Sequence, residues 1–247
     1  MDNTSPRGIQ SIEVGGQLLI ALAHHGRPLA LKDLAAAAGM AAAKAHAYLV
    51  SFIKIGLVEQ DGSKYGLGPL ALQLGLISLQ QYEPVRLATP RIEALALEIG
   101  HTVAIAVWGN RGPTIVRVAE APSPVHISMR HGTVMSLSGT ASGRLFAAHL
   151  PAATVSAAES ASDTPLDLVL LDGIRLAGLA SSQDGVVHGV SALAAPVFDD
   201  QGRIVLSLTA IGPSGSFDLR PSGSMAQALK GAAAAVSQQL GWRASAY

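Results

Sequence analysis

The sequence contains no cysteine and few charged or aromatic residues. Without cysteine the chain has no disulfide and no thiolate metal ligand, and nothing in it indicates an oxidising compartment. Charged residues make up 14% of the 247 residues, whereas about 25% is usual in soluble proteins. No apolar run approaches the roughly 20 residues that span a bilayer, and the N-terminus lacks the pattern of a signal peptide. These absences predict a cytoplasmic protein with no membrane partner.

The first third of the chain predicts a winged helix-turn-helix domain. Apolar residues recur at helical spacing over Ile9 to His25, between Leu31 and Gly39, and again up to Gly56. The stretch LVEQDGSKYGLG then predicts two strands joined by an Asp-Gly turn. An apolar helix without charges follows over residues 69–82. Two helices that meet at a glycine and a hairpin behind them form the usual frame for a helix that enters the DNA major groove.

The third predicted helix has a bare outer face. Its start is almost all alanine, and Lys44 and His46 are the long polar groups there. Such a face fits the major groove, where alanine methyl groups can contact thymine methyl groups. The positions predicted to contact DNA are Ala42, Ala43, Lys44, His46, Ala47, Ser51 and Lys64. Five basic and four acidic residues over 8–68 predict a modest electrostatic affinity for each subunit, which favours oligomeric binding.

The remaining chain predicts an α+β domain. Helices are expected over Pro84–Gly100, within GTASGRLFAAHL from Ala141 onward, over Leu166–Leu179 and over Met225–Leu240. Strands are expected in HTVAIAVWGN, TIVRVAE, VHISMR and the two halves of GVSALAAPVFDDQGRIVLSLTAIGP, which turns at DDQG. The Ala- and Ser-rich segment between Pro151 and Asp172 is interpreted as a surface loop.

The stretch SGTASGR, Ser138 to Arg144, carries the most informative chemistry. Thr140 is a suitable N-cap for a helix that begins at Ala141, and the first amide groups of such a helix have no partner within it. A helix N-terminus favours an anion, and small residues let a ligand approach the backbone. The same stretch is also compatible with a tight packing turn that binds nothing.

Motifs of catalysis are missing from the sequence. SGTASG lacks the G-x-S-x-G spacing of a nucleophile elbow, and neither H-E-x-x-H nor G-x-x-x-x-G-K occurs. His126 and His131 are five residues apart, on a predicted strand and its following turn. No catalytic residue, metal ligand or cofactor is therefore predicted.

Four segments together resemble the IclR-type bacterial transcriptional regulators, in that family's order. They are SIEVGGQLLIALA, the long stretch from LKDLAAAAGM to PLALQLG, GTASGRLFAAHLP and GVSALAAPVFDDQGRIVLSLTAIGP. The resemblance implies a winged helix-turn-helix DNA-binding domain over residues 8–68, a linker helix over 69–82 and a GAF-like effector-binding domain with an antiparallel sheet over 83–247. It also implies a double-stranded DNA operator, a small organic effector, and assembly as a homodimer or homotetramer.

The resemblance assigns the walls of an effector pocket. One wall is the start of the helix in SGTASGR, at Thr140, Ala141, Ser142 and Gly143. The other walls are Ile127, Met129, Ser182, Ala192, Thr209 and Ile211. None of these residues is Asp or Glu, so a buried cationic ligand would lack a partner, and the expected effector is a small carboxylate.

One departure from the family leaves a second function open. The recognition helix of the family commonly has S-T-V-H-R-L-L, and here Ala43 to Leu49 is A-K-A-H-A-Y-L. Position 47 therefore lacks the arginine of the family, a side chain that could contact guanine. The alternative function is a ligand-sensing protein with weakened or lost DNA binding that acts through protein partners.

Overall fold

The computed structural model describes residues 8–123, 127–158 and 164–243, and its contacts divide the chain into two compact units, Met1–Gln81 and Tyr82–Tyr247. The first unit contains, in order, α1 (Gln10–His25), β1 (Leu29–Ala30), α2 (Leu31–Ala37), α3 (Ala42–Lys54), β2 (Val58–Asp61), β3 (Lys64–Leu67) and α4 (Pro69–Gln81). The predicted order of elements is confirmed. The sequence pattern missed β1, which pairs with β3 and completes a small antiparallel sheet in the order β1-β3-β2.

The helix-turn-helix is formed by α2 and α3, whose axes differ in direction by 101°. Gly39 makes the turn between them in the left-handed region, with a φ of 66°. The core of the unit joins Leu18 of α1, Leu34 of α2 and Leu49 of α3, which are all fully buried. A Cβ on Gly15 would lie 2.8 Å from Cδ1 of Tyr48, so this glycine lets the tyrosine of α3 lie directly on α1.

The start of helix α4 is held by a backbone hydrogen bond to the turn after α3. The amide of Leu70 donates to the carbonyl of Gly56 at 2.9 Å. Beyond that first turn its apolar side chains Leu72, Leu74, Leu76 and Ile77 are exposed in the isolated chain. A helix of this kind needs a covering surface.

The second unit is a five-stranded antiparallel sheet in the order β5-β4-β8-β7-β6. Its elements are α5 (Glu83–Ile99), β4 (Thr102–Gly109), β5 (Gly112–Ala119), α6 (Ala141–His149), α7 (Ala152–Ser156), α8 (Leu168–Ala177), β6 (Ala180–Gln183), β7 (Val190–Phe198), β8 (Ile204–Pro213) and α9 (Ser224–Gln239). Helices α5 and α9 pack against each other and against the sheet, and α6 packs across β5 to β8 in a cluster with Ala104, Ala194 and Ile211. The α+β class and the antiparallel sheet agree with the expectation from the sequence.

The strand expected in VHISMR is wrong for the described part, residues 127–130, which has no strand; Val125 and His126 lie outside the described residues. The segment that lies along the edge strand β5 comes later. The amide of Ile115 donates to the carbonyl of Thr133 at 3.0 Å, and Val134 forms an isolated bridge with Thr114. Alternation alone could not indicate which residues reach the sheet edge.

The loop expected after Pro151 is wrong in part, because it contains the short helix α7. The helix expected over Leu166–Leu179 is present as α8, and the side chain of Asp167 caps it by accepting from the amide of Val169 at 2.9 Å. The Ala- and Ser-rich composition gave no helical pattern for α7, which is only five residues long.

Among the residues described, no single helix is both long and apolar enough to cross a membrane.

Candidate DNA-binding and effector-binding sites

All seven positions predicted to contact DNA are exposed. They are Ala42, Ala43, Lys44, His46, Ala47, Ser51 and, at the start of β3, Lys64. The opposite side of α3 buries Ala45 and Leu49 completely. Because α3 buries only one side in its own unit, its alanine-rich side stays exposed and has the dimensions to enter the major groove of DNA.

The start of α3 leaves its backbone donors free of a side-chain cap. Its N-cap residue is Ala41, which makes no side-chain hydrogen bond, and no acidic residue lies in the first turn. The first amides of a helix are standard donors to phosphate oxygens. Lys44 adds a full positive charge to this turn, whereas Ser51 donates its hydroxyl to the carbonyl of Ala47 at 3.3 Å within its own helix.

The predicted effector walls on the sheet form two adjacent rows. Ser182, Ala192, Ile211 and Thr102 are register partners in succession across β6, β7, β8 and β4. Thr209 lies two residues before Ile211 on β8, so it faces the same side, between Ala104 and Ala194. One side of the sheet therefore presents small and apolar groups with hydroxyls at Ser182 and Thr209.

The start of α6 lies against this face and is held by hydroxyl groups. Thr140 is the N-cap, as expected: its Oγ1 accepts from the amide of Gly143 at 3.0 Å and donates to the carbonyl of Ser136 at 2.7 Å. The hydroxyls of Ser142 and Thr209 are 2.8 Å apart, with the hydroxyl of Ser207 3.3 Å from Thr209. Ser142 and Thr209 are only 1% and 2% exposed, so the two predicted walls bind each other directly.

The four residues at the start of α6 do not play equal parts. A Cβ on Gly143 would lie 2.0 Å from the carbonyl oxygen of Ser136, so this glycine is required by its own turn. The packing-turn interpretation therefore accounts for Gly143. Within the described part of the chain, the amides of Ala141 and Ser142 make no hydrogen bond, so they are the two free donors at this helix start.

Ile127 and Met129 are half-buried and pack on the same cluster as Ala141, Ala192 and Ile211. The carbonyl of Ile127 accepts from the hydroxyl of Thr102 at 2.8 Å. This hydrogen bond holds the segment over the row that contains Ile211. The residues that the sequence assigned to one pocket thus lie on three elements that meet over one face of the sheet.

Sequence reasoning missed Arg144, the last residue of SGTASGR. Its Nε donates to the carbonyl of Ser138 at 2.7 Å and its Nη1 to the carbonyl of Ser181 at 2.8 Å. The guanidinium therefore joins the turn before α6 to the edge strand β6, next to Ser182. Burial lowers the pKa of Arg144 from its ordinary value. Its place in the motif was visible in the sequence, but the long reach to β6 was not.

Thr102 and Ser207 were missed for a different reason. Both lie on strands whose alternation was predicted, and Ser207 follows from the spacing of Thr209 and Ile211. Thr102 becomes visible only with the register, because it is paired with Ile211 from a strand distant in sequence.

In the described residues, no group of three His, Asp or Glu side chains gathers in a way that could hold a metal ion. His131 is exposed, and His126 lies outside the described residues.

Comparison with known proteins gives two family matches that together cover most of the chain. Residues 11–62 match the IclR helix-turn-helix domain, and residues 77–238 match the C-terminal domain of the bacterial transcriptional regulator IclR. The chain is 30% identical to the glycerol operon regulatory protein of Streptomyces coelicolor, over 95% of this chain and 98% of that protein.

Solved structures extend the comparison. HmgR of Pseudomonas aeruginosa is 36% identical, with a TM-score of 0.63 over 96% of this chain and 100% of that one. An IclR homologue of Microbacterium hydrocarbonoxydans, solved in complex with 4-hydroxybenzoate, has a TM-score of 0.75 over 93% of this chain and 98% of that one. At 17% identity, the second comparison establishes the fold alone.

Proposed function

We propose that a small organic carboxylate controls the operator binding of this chain, which belongs to the IclR family of bacterial transcriptional regulators. The family supplies a DNA-binding helix-turn-helix domain and an effector-binding domain. The class of the effector, the residues that bind it, the residues that bind DNA and the oligomeric state are the parts we propose.

The observation that carries the effector class is the start of α6. Two free backbone amides, those of Ala141 and Ser142, lie beside the buried hydroxyls of Ser142 and Thr209. These groups can donate to a carboxylate, and the helix N-terminus adds a favourable field of about 0.3–2 kcal/mol. Ile127 and Ile211 supply apolar contacts for the rest of the molecule. None of the ten proposed pocket residues is acidic, which disfavours a cation.

The ligand of the Microbacterium homologue, 4-hydroxybenzoate, belongs to this chemical class. It is a compact molecule with an anionic end and an apolar ring, and it therefore serves as the first probe. The glycerol operon relative is named for the genes it controls and does not bear on the class of ligand.

For DNA, the proposed contacts are Ala42, Ala43, Lys44, His46, Ala47, Ser51 and Lys64. Their exposure and the uncapped start of α3 support phosphate contacts from backbone amides and Lys44. Beside Lys44, His46 is the other long polar side chain at the start of this face, and we assign it to a base edge. The alternative, a sensor without DNA binding, draws on the exposed alanines at 43 and 47, and an electrophoretic shift with the promoter region of the gene itself separates the two.

For assembly, we propose that α4 is buried between two chains. The helix contains no charged residue, and its leucines and Ile77 are exposed, with Leu74 53% exposed in the single chain. Leu74→Glu on this helix should therefore convert the dimer into a monomer in light scattering. A wild-type chain that is already monomeric at micromolar concentration would contradict this part of the proposal.

The effector class is tested by thermal shift with matched ligands. At 100 times its dissociation constant a ligand adds about 2.7 kcal/mol to the free energy of unfolding. We expect 4-hydroxybenzoate, benzoate or other small carboxylates to raise the melting temperature, and the corresponding amides and benzylamines to have little effect. The same carboxylate should change the affinity for the promoter fragment. Stabilisation by amines alone, or by the amides equally, would refute the proposed class.

A further inference from the structure

Tyr82 is the single residue between helices α4 and α5. Helix α4 ends at Gln81, the last residue of the first unit, and α5 begins at Glu83 in the second unit. Pro84 in the first turn of α5 has no amide hydrogen, so one continuous helix could not keep all its hydrogen bonds across this point. Tyr82 is therefore the covalent joint between the winged unit with its helix α4 and the effector-binding unit.

The effector-binding unit holds Tyr82 by its backbone and by its side chain. The carbonyl of Tyr82 accepts from the amides of Val85 and Arg86 at 3.1 and 3.3 Å, in the first turn of α5. Its hydroxyl donates over 3.0 Å to the carbonyl of Val205 on β8, 123 positions away in the sequence. Burial and then the negative charge of Asp199 raise the pKa of the Tyr82 hydroxyl, so the group keeps the proton that it donates.

The acceptor of this hydrogen bond lies in a β-bulge. The pairing of β8 with β7 passes from Leu206 to Ile204 while β7 advances by one residue, so Val205 is the extra residue of β8. On the other side of β8, the described pairing with β4 ends at Ser207. Val205 thus has no register partner on either neighbouring strand in the described part of the chain, and its carbonyl accepts from Tyr82, which lies outside the sheet.

The hydroxyl groups of the candidate effector site lead along β8 toward this bulge. The hydroxyl of Ser142 is 2.8 Å from that of Thr209, which is 3.3 Å from the hydroxyl of Ser207. Ser207 is fully buried and lies two residues from Val205 on the same strand. A ligand that engages or separates the hydroxyls of Ser142 and Thr209 therefore acts on β8 only four residues from the carbonyl that Tyr82 holds.

We propose that Tyr82 is a positioning residue that transmits effector binding from β8 to α4, because its hydrogen bond to Val205 differs in strength between the effector-free and effector-bound states of β8. This role rests on the proposed control of operator binding by an effector, and it names a residue that links the two sites. Since Tyr82 is 38% exposed, water can replace Val205 as its partner, so the bond can weaken without leaving a buried hydroxyl unsatisfied. At its other end α4 is bonded to the winged unit, where the amide of Leu70 donates to the carbonyl of Gly56. A change in the direction of this helix at Tyr82 therefore reaches the DNA-binding helix-turn-helix.

The first test compares the operator affinity of the full-length chain with and without 4-hydroxybenzoate, measured by fluorescence anisotropy. Tyr82→Phe keeps the ring and removes only the hydroxyl, so it should bind 4-hydroxybenzoate as the wild type does. The ratio between the operator dissociation constants with and without the ligand should move toward one by about two- to tenfold, the range that one hydrogen bond supplies. The matched control is Thr89→Val in α5, which also removes one hydroxyl that donates to a backbone carbonyl, that of Val85 at 2.8 Å. This control should keep the wild-type ratio, because its hydrogen bond lies within one helix.

A cycle of variants tests the same route without any ligand. Thr209→Val changes the hydroxyl chain on β8 and should alter the operator affinity of the ligand-free protein by about twofold or more, and the same substitution should have no such effect in Tyr82→Phe. A wild type whose operator affinity does not respond to 4-hydroxybenzoate or other carboxylates would count against the proposed effector class, and the cycle then decides the role of Tyr82. The inference is overturned by a Tyr82→Phe protein with the full wild-type ratio, by an equal loss in Thr89→Val, or by a cycle in which Thr209→Val acts equally with and without the Tyr82 hydroxyl.

Discussion

Replacing Thr209 by valine should destabilise the effector-binding unit through one lost hydroxyl. Valine keeps the shape of threonine, so no cavity forms and the change is confined to hydrogen bonding. Ser142, which is 1% exposed and 2.8 Å from the Thr209 hydroxyl, then loses its partner in a place that water does not reach. A buried group left unsatisfied costs about 1–3 kcal/mol.

Ser142→Ala should cost less than Thr209→Val, because the pair is asymmetric. When the serine hydroxyl is removed, Thr209 keeps the hydroxyl of Ser207 at 3.3 Å as a partner. The double variant should cost more than Ser142→Ala but less than the sum of the two single variants, since no orphaned hydroxyl is left at position 142 while buried Ser207 still loses Thr209. A double-mutant cycle should therefore give a coupling of about 1 kcal/mol between the two positions.

Tryptophan fluorescence during urea unfolding isolates the relevant unit. The only two tryptophans of the chain, Trp108 and Trp242, lie in the second unit, against Phe146 at 5.7 Å and Phe198 at 5.4 Å between ring centroids. For a unit of this size, 1 kcal/mol corresponds to roughly 2–4 °C in melting temperature. The fluorescence thus reports unfolding of the effector-binding unit separately from the winged domain.

The control is Ser216→Ala, which removes an exposed hydroxyl that donates over 3.4 Å to the carbonyl of Pro213. It should change the free energy of unfolding by less than about 0.5 kcal/mol. If Thr209→Val is as stable as the wild type, or if the two single effects simply add, the hydroxyl pair does not hold α6 to β8 and the reasoning fails.

Three further predictions follow from the same structure. Lys44→Ala should weaken binding to operator and to random DNA alike, and the binding constant should then depend less steeply on salt concentration. His46→Ala should instead reduce the ratio between the affinities for operator and for random DNA. An equal loss of affinity for both DNAs in His46→Ala, measured by filter binding or electrophoretic shift, would refute its base-reading role. Gly143→Ala should cost about 3 kcal/mol or more in urea unfolding, because its Cβ would lie 2.0 Å from a backbone oxygen that cannot move freely. Burial, and then the charge of Arg175, lower the pKa of His149, so as the pH falls the unfolded chain binds a proton at this histidine before the folded chain does. The free energy of unfolding should therefore decrease as the pH falls below about 6.5, and it should decrease less steeply in His149→Gln. Identical pH profiles for the two proteins would contradict this.

The winged domain was predictable because its information is local. Each helix has an apolar stripe, glycines stand at Gly39 and Gly56 where the chain turns, and the hairpin has an Asp-Gly turn. These signals need no distant partner. The two-residue strand β1 was missed because it exists only through its pairing with Tyr65 and Lys64 of β3.

The effector-binding unit shows where sequence reasoning stops. The hairpins of β4 with β5 and β7 with β8 follow from alternation and turns, but the central pairing of β4 with β8 joins residues about a hundred positions apart. That pairing is what places Thr102 beside Ile211 and brings Ile127 over the sheet. The family resemblance named several of these residues without the contacts that explain them.

The contact between Ser142 and Thr209 also sets a condition on any effector that binds there. A carboxylate that reaches the free amides of Ala141 and Ser142 must either accept from these hydroxyls as they stand or separate them. One buried hydrogen bond is worth about 0.5–1.5 kcal/mol net, and an allosteric coupling is typically about 1–3 kcal/mol. The two magnitudes are comparable, so a single hydroxyl pair that differs between the free and bound states can supply a large part of the switch. If it does, Thr209→Val must change the ligand-dependent shift in operator affinity and not only the melting temperature. A variant that is less stable but has an unaltered ligand response would confine the hydroxyl pair to folding and would move the origin of the coupling to other residues.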